Sequence, residues 1–322
     1  MDVLGDLLDG VRAHTAAFCQ VVLERPWALR IADRAPLALA STLSGHAWIV
    51  PDDGEPTLIS AGDVAVIQGP EPYTVADHPD TPPSLVVHAG NRVMTVDGHD
   101  VTATLRLSKH TKALGPGTGL STPGACAVLA SGTYQVTGDV SRRLLAALPD
   151  VVLVPREDVR SPVMDLLAAE VSRDEPGQQV VLDRLLDLAL IVALRAWFAR
   201  PEADAPGWYR AHGDPLVGPA LRTIHDDPTQ QWTVATLAAT AGSSRAAFAR
   251  RFTSLVGQPP MTYLTHWRLD LAADLLRNTD ATVSSIARQV GYANAFALTV
   301  AFKRVRGVTP RQHRDTRVPA EA

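Results

Sequence analysis

The side chains of this 322-residue sequence whose type and spacing suit a chemical task are cations. Arg245, Arg250 and Arg251 fall in one stretch, and Lys303 and Arg304 fall in a second stretch that repeats the first about fifty residues on. Cations grouped on repeated short segments are suited to meeting phosphate. Catalytic groupings are thin by comparison. His46, His78, His88, His99 and His110 are scattered with no His-x-His among them, and there is neither a Gly-x-Ser-x-Gly elbow nor a His-Glu-x-x-His site.

The elements that must position those cations are written twice. Thr233-Val234, Leu237-Ala238 and Ala241-Gly242 recur 49 positions on as Thr282-Val283, Ile286-Ala287 and Val290-Gly291. Past each glycine the offset is 50: Ser244 matches Asn294, Phe248 Leu298, Phe252 Phe302, Gly257 Gly307 and Pro260 Pro310. Each copy predicts a helix capped by threonine, a turn at a glycine that supplies a left-handed residue, and a second helix capped by Ser244 or Asn294. A pair of short helices about a tight glycine turn is a helix-turn-helix. The residues three beyond the capping threonines are Thr236 and Ser285 rather than Glu, so neither first helix is expected to gain a reciprocal cap.

Hydrophobic residues make up 46% and charged residues 20%, the balance of an ordinary globular protein long enough for two domains. The net charge of −4 is unevenly spread. Residues 214–317 hold 13 Lys and Arg against 7 Asp and Glu, whereas residues 1–213 hold 17 against 26, so the basic surplus lies on the repeat. The two cysteines, Cys19 and Cys126, form no paired motif, which favours a reduced compartment. The first residues are acidic rather than basic, with no long apolar run behind them, so the expected location is the cytoplasm.

From the start of the chain, residues 3–13 read as a short amphipathic helix. Brief apolar runs follow, with Pro and Gly turn residues between them: Leu37 to Leu43, Ala47 to Val50, Thr57 to Ile59, Val64 to Ile67 and Leu85 to His88. This is the punctuation of a β-sandwich or barrel. Lys112 to Gly124, rich in Gly, Pro and Thr, reads as a surface loop. Residues 141–148 read as helix, Val151 to Val154 as a last strand, and Ser161-Pro162 as the start of another helix. Val180 to Arg200 is a helix apolar on more than one face, which needs cover on two sides. Packing within the monomer could supply both, but one side facing a second subunit is the preferred reading. The expected division is residues 1–200, a linker at 201–215, and an all-helical domain at 216–317.

Residues 232–314 resemble the DNA-binding domain of the AraC/XylS transcription regulators. The likeness is carried by Leu237-Ala238-Ala239-Thr240-Ala241-Gly242, Phe248-Ala249-Arg250-Arg251-Phe252, Gly257-Gln258-Pro259-Pro260, Ile286-Ala287, Val290-Gly291-Tyr292 and Gly307-Val308-Thr309-Pro310. The N-terminal part resembles the cupin-like effector domain of many such regulators, through Pro26-Trp27-Ala28-Leu29-Arg30, Gly45-His46-Ala47-Trp48, Ala61-Gly62-Asp63-Val64 and the helix from Val180. The implied fold class is α+β, a cupin-like β-barrel with a helical dimerisation element followed by an all-α double helix-turn-helix domain. The implied function is a DNA-binding regulator, activator or repressor, controlled by a small molecule and acting as a homodimer, with RNA polymerase a further partner and no cofactor.

The resemblance places base contacts on Ala246, Ala249 and Arg250 in the first recognition helix and on Phe296, Thr299 and Val300 in the second. Arg250 is the best candidate for direct readout, since a guanidinium suits the paired acceptors of guanine. The family often has Arg where this chain has Val300, so the second unit is expected to contribute mainly phosphate contacts through Lys303 and Arg304, with weak discrimination. In the N-terminal domain His46, Trp48 and Tyr73 are candidate effector-binding residues, though Trp48 and Tyr73 equally suit a barrel core. The alternative is a metal-dependent cupin enzyme fused to a DNA-binding module, which would need an unusual ligand set.

Overall fold

The computed structural model describes residues 3–8, 10–13, 19–105, 111–114, 126–136, 138–159, 161–171, 173, 175–200, 203 and 205–315. The chain divides into two compact units that do not follow its order. One gathers Val11–Val136 and Leu148–Ala203; the other gathers Met1–Gly10, Thr137–Ala147 and Asp204–Ala322.

The first unit is built on two sheets. One runs β11 (Thr111–Leu114), β2 (Cys19–Glu24), β12 (Cys126–Val136), β4 (Leu37–Ser44), β7 (Val64–Gln68) and β13 (Val151–Val154), with the short β1 (Val11–Arg12) also on β12. The other runs β10 (Arg92–Thr95), β9 (Leu85–His88), β3 (Ala28–Ala32), β8 (Tyr73–Ala76), β5 (His46–Pro51) and β6 (Thr57–Ser60). Most pairs are antiparallel, but β11 lies parallel to β2 and β9 parallel to β3. The sheets share their apolar faces: Leu23, Ala127 and Leu129 of the first meet Leu29, Ala47 and Val75 of the second, and Ala38, Ala65 and Ile67 meet Ile49 and Ile59. Face-to-face sheets of this kind build their core from the side chains of the two inner faces.

Two helices complete this unit, α3 (Val163–Val171) and α4 (Gln178–Phe198). The inner face of α4 buries Leu182, Leu186, Ala189, Leu190, Ala193 and Leu194. Its approach to β12 is close. A Cβ on Gly132 would lie 2.8 Å from the Leu186 methyls, and the buried Tyr134 hydroxyl donates to the Leu186 carbonyl at 2.7 Å. The opposite face leaves Val181 and Leu188 exposed, so the apolar surplus of this helix is covered on one side only within the protomer.

The second unit is helical: α1 (Val3–Leu8), α2 (Gly138–Leu145), α5 (Gly207–His212), α6 (Val217–Asp226), α7 (Val234–Thr240), α8 (Arg245–Val256), α9 (Pro260–Asn278), α10 (Val283–Gln289), α11 (Ala295–Arg306) and α12 (Pro310–Asp315). Its core has an aromatic part, where Phe252 lies between Phe248 and Tyr263. An aliphatic part gathers Leu269, Ala272, Leu276, Ile286, Val290, Leu298 and Phe302 around α9.

Several expectations change. The first helix ends at Leu8 rather than residue 13, because Val11 and Arg12 pair with Val136 and Gln135 of β12. The 201–215 segment expected as linker contains α5, which buries Trp208 and Ala211 and packs on α8. Gly207 makes that packing feasible, since a Cβ there would lie 2.5 Å from the Leu255 carbonyl oxygen. Finally, α1 and α2 pack among the helices of the second unit, although the sequence places both within its first 150 residues. Of the expected loop at 112–124, residues 112–114 belong to β11 and residues 115–124 lie outside the described residues.

Candidate nucleic-acid interface

The two helix-turn-helix units are capped as their sequences specify, with one addition. Thr233 accepts from the Thr236 amide at 3.1 Å and, in return, the Thr236 hydroxyl accepts from the Thr233 amide at 2.9 Å. The reciprocal cap thought to require Glu is thus closed by a threonine hydroxyl, which is long enough to reach back one turn. In the second unit only the forward bond forms, from the Ser285 amide to Thr282. Ser244 and Asn294 cap the second helices through the amides of Ala247 and Ala297. The turns pass through Gly242 and Gly291 at φ of 62° and 83°, the left-handed region that glycine enters without strain. A Cβ on Gly291 would also meet the Arg268 guanidinium and the Pro228 carbonyl oxygen within 3 Å.

With the inner faces of α8 and α11 fixed by Phe248, Phe252, Leu298 and Phe302, the outer faces are determined. On α8 Arg245, Ala246 and Arg250 are exposed and Ala249 is half-buried. On α11 Phe296 is 77% exposed and Val300 51%, Lys303 and Arg304 are exposed, and Thr299 is half-buried with its hydroxyl donating to the Ala295 carbonyl at 2.7 Å. Ala246 and Arg250 correspond to Phe296 and Val300 at the 50-residue offset, so matching positions carry matching exposure.

Arg251 differs from its neighbour. Its Nε and Nη2 donate to Asp214 at 2.9 and 2.7 Å, and the same carboxylate accepts from the amides of Leu216 and Val217 at the start of α6. Burial alone would raise the Asp214 pKa, but the two amides and Arg251 together hold it below the usual carboxylate range. The local sequence gives no sign of this pairing, which spans 37 residues.

The helical unit also holds a charge cluster that sequence reasoning missed entirely. Asp274 of α9 accepts from the amides of Asp139 and Val140 and so caps α2 from another helix. Asp139 itself meets Arg306 at 3.0 Å, and Arg306 also donates to Asp270 at 2.6 Å. Arg142, Arg143, Arg277 and His313 also belong to the group. Burial raises the pKa of Asp270 and Asp274, while at Asp139 the same effect is outweighed by Arg306, Arg277 and Arg142. Arg306 is the last residue of α11, so α2 grips the end of the second recognition helix.

A second buried group fastens α1. His225 Nδ1 lies 2.6 Å from Asp6 Oδ2 and Nε2 lies 2.8 Å from the Tyr263 hydroxyl. Burial lowers the His225 pKa more than Asp6 raises it, and burial pushes the Tyr263 phenol up to about 12. Both observations fit one proton arrangement, with neutral His225 donating from Nδ1 to Asp6 and accepting at Nε2 from Tyr263.

In the sheet unit the three candidate effector residues are not brought together. Tyr73 lines a cavity of about 360 Å³ whose other walls include Ile49, Ile67 and Val151, with Asp52, Asp53, Glu71 and Asp150 also around it. His46 bonds through Nε2 to the Arg25 guanidinium at 2.6 Å, and Trp48 is half-buried in β5 opposite Leu58 and Ala76; neither lines that cavity. Among the described residues no three His, Cys, Asp or Glu are gathered to hold a metal ion. No described helix is long and apolar enough to cross a membrane.

Comparison with known proteins adds the family. Residues 2–199 match the model of a cupin family, and residues 237–316 that of a helix-turn-helix domain. A putative AraC-like transcription regulator of Streptomyces lividans is 31% identical over 98% of both chains, and the regulator AlkR of Acinetobacter baylyi is 27% identical over 98% of this chain and 99% of its own. Among solved structures, the DNA-binding domain of AdpA in complex with a target DNA is 35% identical, over 32% of this chain and 92% of that one, with a TM-score of 0.31. The chain therefore belongs to the AraC-like transcription regulators, with an N-terminal cupin domain and a C-terminal DNA-binding domain of helix-turn-helix type.

Proposed function

We propose that the chain is a cytoplasmic, dimeric regulator whose two helix-turn-helix units read operator DNA together and whose cupin domain binds, rather than transforms, a small-molecule effector. The observation that carries the DNA reading is the pair of outer faces on α8 and α11, exposed at equivalent positions and backed by one packed helix, α9. At about 1.5 Å per residue the 19 residues of α9 span about 28 Å. That is close to the roughly 34 Å between successive major-groove faces, so one subunit would engage about two turns of duplex. Arg245, Arg250, Lys303 and Arg304 supply the charge on these faces.

For the effector, the cavity beside Tyr73 supports the reading, since concave sites with apolar walls and a few polar groups take small molecules. The outer face of α4, with Val181 and Leu188 exposed, supports the dimer. RNA polymerase is the further partner if the protein activates.

The test is a fluorescence-anisotropy titration of the full chain against a duplex enriched from random sequence. Tight binding of the enriched duplex over scrambled DNA is expected. Equal affinity for both would end the operator reading.

A further inference from the structure

The outer face of α11 is divided along its length. Lys303 and Arg304 make its C-terminal half cationic, while its N-terminal half presents Phe296 and Val300, one helical turn apart and 77% and 51% exposed. A phenylalanine so open to water is uncommon on a monomer, and adjacent exposed apolar side chains rimmed by charge mark a contact surface. Between Ala295 and Val300 the sequence is Ala-Phe-Ala-Leu-Thr-Val, and its one hydroxyl proton, on Thr299, is committed to the Ala295 carbonyl. No side chain in this half can therefore donate to a guanine edge.

The equivalent half of α8 carries Ala246 and the exposed Arg250, which can. What an apolar surface senses in a major groove is the thymine C5 methyl, the one carbon group that distinguishes a base pair there. Lys303 and Arg304, one helical turn beyond Val300 on the same helix, place cations beside the apolar pair, as phosphates flanking a groove require.

We infer that the second helix-turn-helix is a methyl reader, in which Phe296 and Val300 select thymine by apolar contact while Lys303 and Arg304 hold the backbone. This rests on the reading of the chain as a binder of duplex DNA. It replaces the expectation of weak discrimination in that segment: the second unit discriminates, but by a group that makes no hydrogen bond.

The test removes the methyl and nothing else. In an enriched duplex each thymine is replaced singly by deoxyuridine, which keeps every hydrogen-bonding edge, and affinity for the full chain is measured at one salt concentration. One or two positions, about one helical turn from those that respond to Arg250→Ala, should lose about fourfold each, the value of one buried methyl. In Phe296→Ala, whose thermal transition should not move because the side chain is exposed, deoxyuridine should lose its effect at one responding position, and with Val300→Ala added it should have no effect at any. At a cytosine tried in the same positions, 5-methylcytosine should bind better than cytosine by a similar factor.

If deoxyuridine is neutral at every position while Arg250→Ala still weakens binding, the inference is wrong and the DNA reading stands. If Phe296→Ala lowers affinity equally for all sequences, or lowers transcription with polymerase without touching DNA affinity, Phe296 serves as a wedge or a protein contact and the inference is wrong. If no duplex is enriched at all, both readings fall.

Discussion

Arg250 and Arg251 stand side by side in sequence, and only one of them is committed within the protein. Arg250 is exposed on the outer face of α8, whereas Arg251 gives two hydrogen bonds to Asp214. Arg250→Ala should therefore weaken an enriched duplex by about 1 to 3 kcal/mol and relax preference at one base pair. Arg251→Ala should leave base preference intact and cost at most about 1 kcal/mol of stability, since the guanidinium is half in water. Competition titration with single base changes separates the two. At His225 the relevant variable is pH. Its folded pKa lies below the ordinary value of 6.5, so the unfolded chain binds more protons as pH falls. The stability of the helical unit should hold above about pH 6.5 and decline below it, as followed by thermal melts. Asp6→Ala should cost about 1.5 to 3 kcal/mol at pH 7, because it leaves the buried Nδ1–H without its carboxylate.

At the scale of elements, the apolar pattern of α4 says that two faces need cover and not which residues lie on the outer one. Its surplus of apolar residues is plain in the sequence, but Leu186 and Leu194 are fully buried against the protomer's own sheets. Leu186→Glu should unfold the sheet unit, while Leu188→Glu, on the exposed face, should leave the fold intact and yield monomers in sedimentation velocity. The same contrast runs through the whole reading. Both glycine turns and the run of strands from β4 to β7 are legible, because caps, turn residues and periodicity are local signals. The 11-residue β12 is not, since Gly132 and the small residues before it give no alternation to read. Nor is the α2 contact with α9: the partners Asp139 and Asp274 are 135 residues apart and only the folded chain brings them together. The glycine preceding Asp139 adapts to this contact, with φ of 90° and space for no Cβ, which would lie 2.6 Å from the Asp274 carboxylate. Gly138→Ala should therefore destabilise the helical unit by more than the roughly 1 kcal/mol of a simple left-handed strain, as measured by urea unfolding.

For the whole molecule, charge and chain path matter most. The basic surplus of residues 214–317 is partly consumed inside the protein, since Arg251, Arg277 and Arg306 face carboxylates there. Arg245, Arg250, Arg288, Lys303 and Arg304 are exposed. If about five phosphates are neutralised, log K should fall with log salt at a slope near −4.5; a slope near zero would mean that binding is not electrostatic. The chain path has a different consequence. Two stretches numbered among the cupin residues, Met1–Gly10 and Thr137–Ala147, are packed with the DNA-binding helices, so the polypeptide changes unit four times rather than once. The two units are consequently not separable with one cut. A gene fusion made at residue 205 would hand the new protein a DNA reader stripped of α1 and α2, with Asp274, His225 and Tyr263 opened to water. Recombination, natural or engineered, would have to carry three pieces of the gene together to move the helical unit intact to a different N-terminal domain.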